Sequence, residues 1–259
     1  MPDLPRSVRL AAWGGAVLRA TTSPDLALDA VVGDDTRHVV DGLPGSHDDP
    51  DGVGVALALG ELRRLGVTGL ALALPVPGDV AGLPGPPSFN EEALEAGEAV
   101  LTRGAAAYAL VPSVETARSS LVQVRWRVHA VEPARSTPLP SLAEADRELK
   151  EALSEATEEL LRLDVARWRP EVLDTLARMR RRIDDASLPD DFAPRAERVL
   201  ASARTVGAIL SLARPDPGAA VSAGAIAMRL DVLDRLSAVT RRALVAAVNS
   251  PLEPRPDRG

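Results

Sequence analysis

The sequence predicts an α+β chain in two parts: an N-terminal layered α/β domain with a small sheet, then a C-terminal antiparallel helical bundle. Three observations carry this. Apolar runs of strand length alternate with helix-spaced segments through residues 1–131. A stretch with three prolines in nine residues, EPARSTPLP at 132–140, then reads as a linker. Over 141–250 every apolar stripe has helical spacing, and nothing there reads as strand. The last residues, 251–259, read as a disordered tail.

In the first part, SVRLAAWGGAVLRATTS predicts a helix with Leu10, Trp13, Val17 and Leu18 on one side, weakened by Gly14 and Gly15. SPDLALDAVVG predicts a short helix capped by Ser23, with Pro24 in its first turn and Gly33 as its stop. RHVVDGL is a candidate strand, SHDDPDG an acidic loop, and VGVALALGELRRLG a helix ending at Gly66. VTGLALAL reads as a strand buried on both faces, because its apolar run is nearly unbroken. Asn90 is expected to begin a helix that runs through NEEALEAGEAVLTRG, with Glu91 and Glu92 near its N-terminus. AAAYALVP is a further buried strand. LVQVRWRVHAV alternates cleanly, with Gln123, Arg125, Arg127 and His129 on one face and Val122, Val124, Trp126 and Val128 on the other. That alternation predicts a half-exposed strand near a sheet edge.

In the second part, Ser141 and Glu144 form a capping box ahead of a stripe of Leu142, Ala145, Leu149, Ala152, Ala156 and Leu160. EVLDTLARMRRRIDDAS follows as a second helix, with Val172, Leu176, Met179 and Ile183 on one face. A third helix starts near Pro194, with Ala196, Val199, Leu200, Ala203, Val206 and Leu210 inward. A last helical stretch runs from Ser222 toward Val248, as one helix or as two joined at Ser237. Four or five helices are therefore expected.

Composition bounds the chemistry. No cysteine occurs, which excludes disulfides, thiolate nucleophiles and Cys-ligated zinc and fits a reducing cytoplasm. Aromatics make up 2% of the chain, so the core must be mostly Leu, Val and Ala. Neither a signal-peptide apolar region nor a membrane span is expected, and the location expected is cytoplasmic. Net charge is −7, and neither half is a basic surface, which argues against nucleic acid.

The chemical motifs fail one by one. Lys150, the one lysine, sits inside a helix with no glycine loop before it, so no phosphate-binding loop exists. Gly52-Val53-Gly54 begins a dinucleotide fingerprint but follows an acidic loop and lacks the third glycine. Ser222 in AVSAG lies among helices rather than at a nucleophile elbow. His47 with Asp48, Asp49 and Asp51 reads as a solvated turn before it reads as a cation site. The cluster Arg178, Arg180, Arg181 and Arg182, with Trp168 nearby, offers a weak nucleic-acid contact or, more simply, helix-face ion pairs. No metal and no cofactor are expected.

One segment carries a positional argument. LALALPVPGDVAGLPGPPSFN leaves a strand, places eight Pro and Gly between Pro75 and Pro87, and enters a helix. Ligands of α/β sheets bind beyond strand carboxyl ends, and a stiffened loop loses less entropy on binding. Asp79, Ser88 and Asn90 are the candidate ligand-binding residues, for a small anionic ligand. Pure scaffolding is the competing reading of the same loop.

The segments AAWGGAVL, DLALDAVVGDD, LALPVPGDVAGLPGPPSFNEEALEAGEAVL and LDVARWRPEVLDTLA together resemble a family of uncharacterised proteins from high-GC actinobacteria. The resemblance runs over most of the chain. None of these segments is a chemical motif, so it implies no activity and no residue roles. The expectation is a non-enzymatic ligand- or protein-binding module, with a protein partner or self-association through the helical domain. The alternative is an enzyme acting on a small anionic metabolite, with Asp79 as acid or base and Ser88 and Asn90 positioning.

Overall fold

A computed structural model describes residues 4–44, 52–80, 82–117, 121–132, 140–162, 188–213 and 223–253. It shows a mixed α+β fold, with a six-stranded sheet in the first part and helices in the second. The chain divides into two compact units: residues 4–139, 188–191 and 251–259, and residues 1–3, 140–187 and 192–250. The 133–139 part of the linker, the EVLDTLARMRRRIDDAS segment and residues 254–259 lie outside the described residues.

The first unit begins with helix α1, which spans residues 6–18. It runs as α-helix over Arg6–Arg9, as a π turn over Leu10–Gly14 and as α-helix again over Gly15–Leu18. The glycines that weaken it in isolation serve its packing. A Cβ on Gly14 would stand 3.1 Å from Leu70 Cδ1 and 3.2 Å from both Leu10 and Leu59. Bare backbone there lets the helix approach the sheet closely. Helix α2 (Pro24–Val32) starts as expected, with the Ser23 hydroxyl accepting from Leu26 N at 3.3 Å. Helix α3 (Val55–Arg64) buries Val55, Ala58, Leu59 and Leu62 at 3.6-residue spacing.

The strands are β1 (Arg37–Asp41), β2 (Val53–Gly54), β3 (Val67–Ala73), β4 (Ala99–Gly104), β5 (Tyr108–Ala117) and β6 (Leu121–Ala130). Their order is β2-β1-β6-β5-β4-β3. β1 and β6 are parallel and every other neighbouring pair is antiparallel. The expectation puts β6 near an edge; it is an interior strand, third from the β2 end of the sheet. Its alternation reports one polar face, and a strand can have a polar face while both of its edges are paired. β5 tolerates Pro112 because the registered pairing with β4 covers only Ala109 and Leu110, so no β4 neighbour needs the missing N–H.

Helix α4 (Pro87–Ala96) corrects two expectations. It begins at Pro87 rather than Asn90, since proline suits the first helical position, where the N–H has no partner anyway. It stops at Gly97, in left-handed geometry at φ 70°, so AVLTRG becomes β4 instead of more helix. α4 covers one sheet face through Phe89 and Ala93, which pack with Ala71, Ala73, Ala99, Leu101, Ala109 and Val111. Helices α1 and α3 pack on the sheet as well, while α2 packs on those two helices; α1 meets Leu70, whose side chain alternates to the opposite face.

The second unit contains α5 (Leu142–Arg162), α6 (Pro194–Ala213) and α7 (Ala223–Asn249). The capping box forms: Ser141 N donates to Glu144 Oε2 at 2.9 Å, and Glu144 N donates to Ser141 Oγ at 3.3 Å. α7 runs unbroken through Ser237, so the stretch is one helix rather than two, because serine costs an interior turn only about a few tenths of a kcal/mol and packing against α5 and α6 overrides that. The core gathers Ala156 from α5, Val206 and Leu210 from α6, and Val232, Leu233 and Leu236 from α7. The buried Arg229 donates from Nη2 to Ala213 O at 2.8 Å, closing the last turn of α6. Among the described residues after 140 there is no strand.

Candidate functional site

The Pro/Gly segment between β3 and α4 is a chain of tight turns. Val76 and Asp79 exchange backbone hydrogen bonds at 3.0 and 2.9 Å around Pro77-Gly78. Proline at the second position and Gly78 at φ 85° at the third are what a type II turn requires. A second turn closes with Leu83 N donating to Val80 O at 3.2 Å.

The three candidate residues occupy different situations. Asp79 is half-buried and closes the first turn through its backbone. Ser88 is exposed in the first turn of α4. Asn90 is half-buried and turned back on the loop, its Oδ1 accepting from Gly85 N at 3.1 Å. Pro86 and Pro87 carry no N–H, and Asn90 N already donates to Pro86 O. Ser88 N and Phe89 N are therefore the donors this helix start has to spare.

The polar face of β6 is an ion-pair ladder. Arg125 lies between two carboxylates: Nε donates to Glu115 Oε1 at 2.8 Å, and Nη1 to Asp41 Oδ2 at 2.5 Å. Both bonds hold its guanidinium pKa above the ordinary value. Glu92 of α4 takes Arg127 at 3.0 Å, and its other oxygen lies 3.1 Å from His129 Nε2 without hydrogen-bond alignment. The Arg127 side chain stays 60% exposed. The carboxylate partners of this face come from β1, β5 and α4.

A second constellation, buried under α1, escaped the sequence reading. Asp35 receives Arg6 Nε at 2.9 Å and Arg6 Nη2 at 2.7 Å, and Arg9 Nη2 at 2.9 Å. Its Oδ2 also lies 3.0 Å from His38 Nε2. On the far side of the ring, Trp126 Nε1 donates to His38 Nδ1 at 3.3 Å. An indole N–H can only donate, so Nδ1 is the acceptor and Nε2 carries the proton toward Asp35. Burial lowers the His38 pKa, and the charges of Arg9 and Arg6 add to that, against the opposing pull of Asp35. Burial raises the Asp35 pKa, but the bonds from Arg6 and His38 and the charges of Arg6 and Arg9 bring it below its ordinary value. The His38 side chain has no exposed surface, and both nitrogens are engaged. The pair therefore has the parts of a proton shuttle with no access for a substrate. The spacing of Arg6 with Arg9 and of Asp35 with His38 was visible in the sequence, but nothing local joined the two.

In the second unit an open groove of about 390 Å³ lies between α5 and α7. Ala156, Val232, Leu236 and Val239 contribute apolar lining; Glu155, Glu159, Arg235 and Arg242 contribute charge. Glu159 receives Arg235 Nη2 at 2.6 Å. The candidates His47, Asp48, Asp49, Asp51, Trp168, Ser222 and Arg178 to Arg182 lie outside the described residues. Among the described residues no cluster of three His, Asp or Glu could hold a metal, and no helix is long and apolar enough to cross a membrane.

Two family models match. "Rv1486c-like protein, N-terminal domain" covers residues 7–140, and "Rv1486c-like protein, C-terminal domain" covers 143–245. The chain is 31% identical to "Uncharacterized protein Rv1486c" of Mycobacterium tuberculosis (strain ATCC 25618 / H37Rv), over 94% of this chain and 96% of that one. It is 28% identical, over the same shares, to "Uncharacterized protein ML1804" of Mycobacterium leprae (strain TN). No solved structure matches.

Proposed function

The chain belongs to the Rv1486c-like protein family, and we propose that it is a non-enzymatic cytoplasmic binding protein whose helical unit contacts a protein partner. The observation that carries this is the α5–α7 groove. An apolar floor of helix-spaced side chains between charged rims suits the apolar face of an amphipathic helix. The groups with catalytic potential in the α/β unit support the non-enzymatic half of the reading. His38 is closed in between Asp35 and Trp126, and Arg125 between Asp41 and Glu115.

Sedimentation of the full chain across a wide concentration range, with Val239→Asp beside it, tests the groove. Concentration-dependent association that Val239→Asp abolishes supports the reading. Association that survives the substitution places the contact elsewhere.

The second reading keeps a small anionic ligand at the 75–90 loop, with Asp79 as acid or base and Ser88 and Asn90 positioning. The exposed Ser88 at the start of α4 favours it. A thermal-shift screen with phosphate, nucleotides and divalent ions separates the two readings. A ligand at a hundredfold its Kd stabilises by about 2.7 kcal/mol. A shift that Ser88→Ala removes would move the function to the loop.

A further inference from the structure

The buried His38 has an arrangement that a second proton would upset. Its Nε2–H points at Asp35, and its Nδ1 accepts from Trp126. Adding a proton puts an N–H at Nδ1 directly against the indole N–H, and two donors then face each other with no acceptor between them. The charges oppose the proton as well. Among the described residues the charged groups acting on the ring are Asp35, Arg9 and Arg6, one anion against two cations. Asp35 is already shared by both guanidiniums, so an imidazolium would be the third cation set against one carboxylate. The cluster joins four places in the fold: α1 through Arg6 and Arg9, the turn after α2 through Asp35, β1 through His38 and β6 through Trp126.

We propose that His38 is a proton-operated catch: neutral, it holds α1 to the sheet through Asp35 and Trp126; protonated, it lets α1 open. Burial and the two guanidiniums depress the pKa of His38 in the closed state, and opening restores its ordinary value. The closed state therefore binds fewer protons than the open one below about pH 6.5, and its advantage shrinks as pH falls toward the depressed value. One proton changes the opening equilibrium by up to about tenfold per pH unit in that window.

Hydrogen–deuterium exchange on the full chain between about pH 7.5 and 5.0, corrected for intrinsic exchange, reads this directly (the limits lie about one unit above and about one and a half below an ordinary imidazole). Wild type should lose protection over residues 6–18 as the pH drops below about 6.5. His38→Gln can donate to Asp35 and accept from Trp126 but cannot titrate there, so its protection should stay level. Equal pH slopes in the two proteins, or level protection in wild type, overturn the proposal. NMR titration of His38 in Trp126→Phe provides an independent reading. Removing the opposing N–H should raise the midpoint relative to wild type; an unchanged midpoint also overturns the catch.

Discussion

Glu98 accepts two hydrogen bonds from Ser7, at 2.8 Å from the backbone N and 2.7 Å from the hydroxyl, across 91 residues of sequence. A carboxylate from the turn before β4 thereby caps the start of α1, where the helix dipole favours negative charge. Ser7 is fully buried, so its donors have no water to fall back on. Glu98→Ala is expected to cost about 1–3 kcal/mol, read as a lowered denaturant midpoint. A double-mutant cycle with Ser7→Ala should show coupling, and additive effects would break the assignment.

Asp35 governs the acid limb of stability. Its pKa is held below the ordinary 3.8 in the fold, so it is charged and stabilising above that value. That contribution drains away as pH falls through the lower folded value. Asp35→Asn removes this limb and takes the shared carboxylate away from Arg6 and Arg9. The loss should be roughly 3 kcal/mol, at the low end for a broken buried pair, because both guanidiniums keep some exposure. Unfolding curves of the two proteins between about pH 5 and about pH 2 (about a unit above and about two below an ordinary carboxylate) should converge at the acid end.

Two helical glycines should respond in opposite directions. Gly60 lies exposed in α3 with nothing within 4 Å of an added Cβ. Gly60→Ala should stabilise by about 0.5–1 kcal/mol through the lost freedom of the unfolded chain. Gly14→Val adds three carbons where Leu10, Leu59 and Leu70 already approach within 3.2 Å. Overpacking there should cost about 1–3 kcal/mol. Melting temperatures that move the same way would mean that α1 does not approach the sheet as closely as described.

Asn90 separates bracing from binding. If its role is the bond to Gly85 N, Asn90→Ala should cost about 0.5–1.5 kcal/mol and leave ligand-induced thermal shifts unchanged. Normal stability with an abolished ligand shift would return Asn90 to the candidate binding set.

Arg229 tests the helical unit in the same terms. Arg229→Ala leaves the Ala213 carbonyl without its donor and should cost about 1–3 kcal/mol, measured by chemical unfolding. Arg229→Lys should recover only part of this, since an ammonium reaches as a point charge rather than a planar fork.

Local rules wrote much of this fold legibly. Ser23 and Ser141 cap their helices as their spacing promised, and Pro77-Gly78 makes the turn that its dihedral preferences require. The inward stripe of α6, from Ala196 to Leu210, is buried throughout. The misreadings occur where a neighbour distant in sequence decides. AVLTRG reads as helix until β3 and β5 offer it a ladder, and LVQVRWRVHAV reads as near an edge until β1 pairs with it in parallel. The candidate residues of the loop were legible by position only, because Asn90 reveals its partner only once the turns have folded back.

The sequence by itself determined the division into a sheet-bearing first part and a helical second part, together with the caps and turns. Those follow from periodicity and backbone preference, which act over a few residues. Tertiary structure alone decided the strand order, the capping of α1 by Glu98 and the closure of His38 between Asp35 and Trp126. Each of those joins groups that are far apart in the chain or on different elements, and a hydrogen bond or an ion pair exists only when packing brings donor and acceptor within about 3 Å.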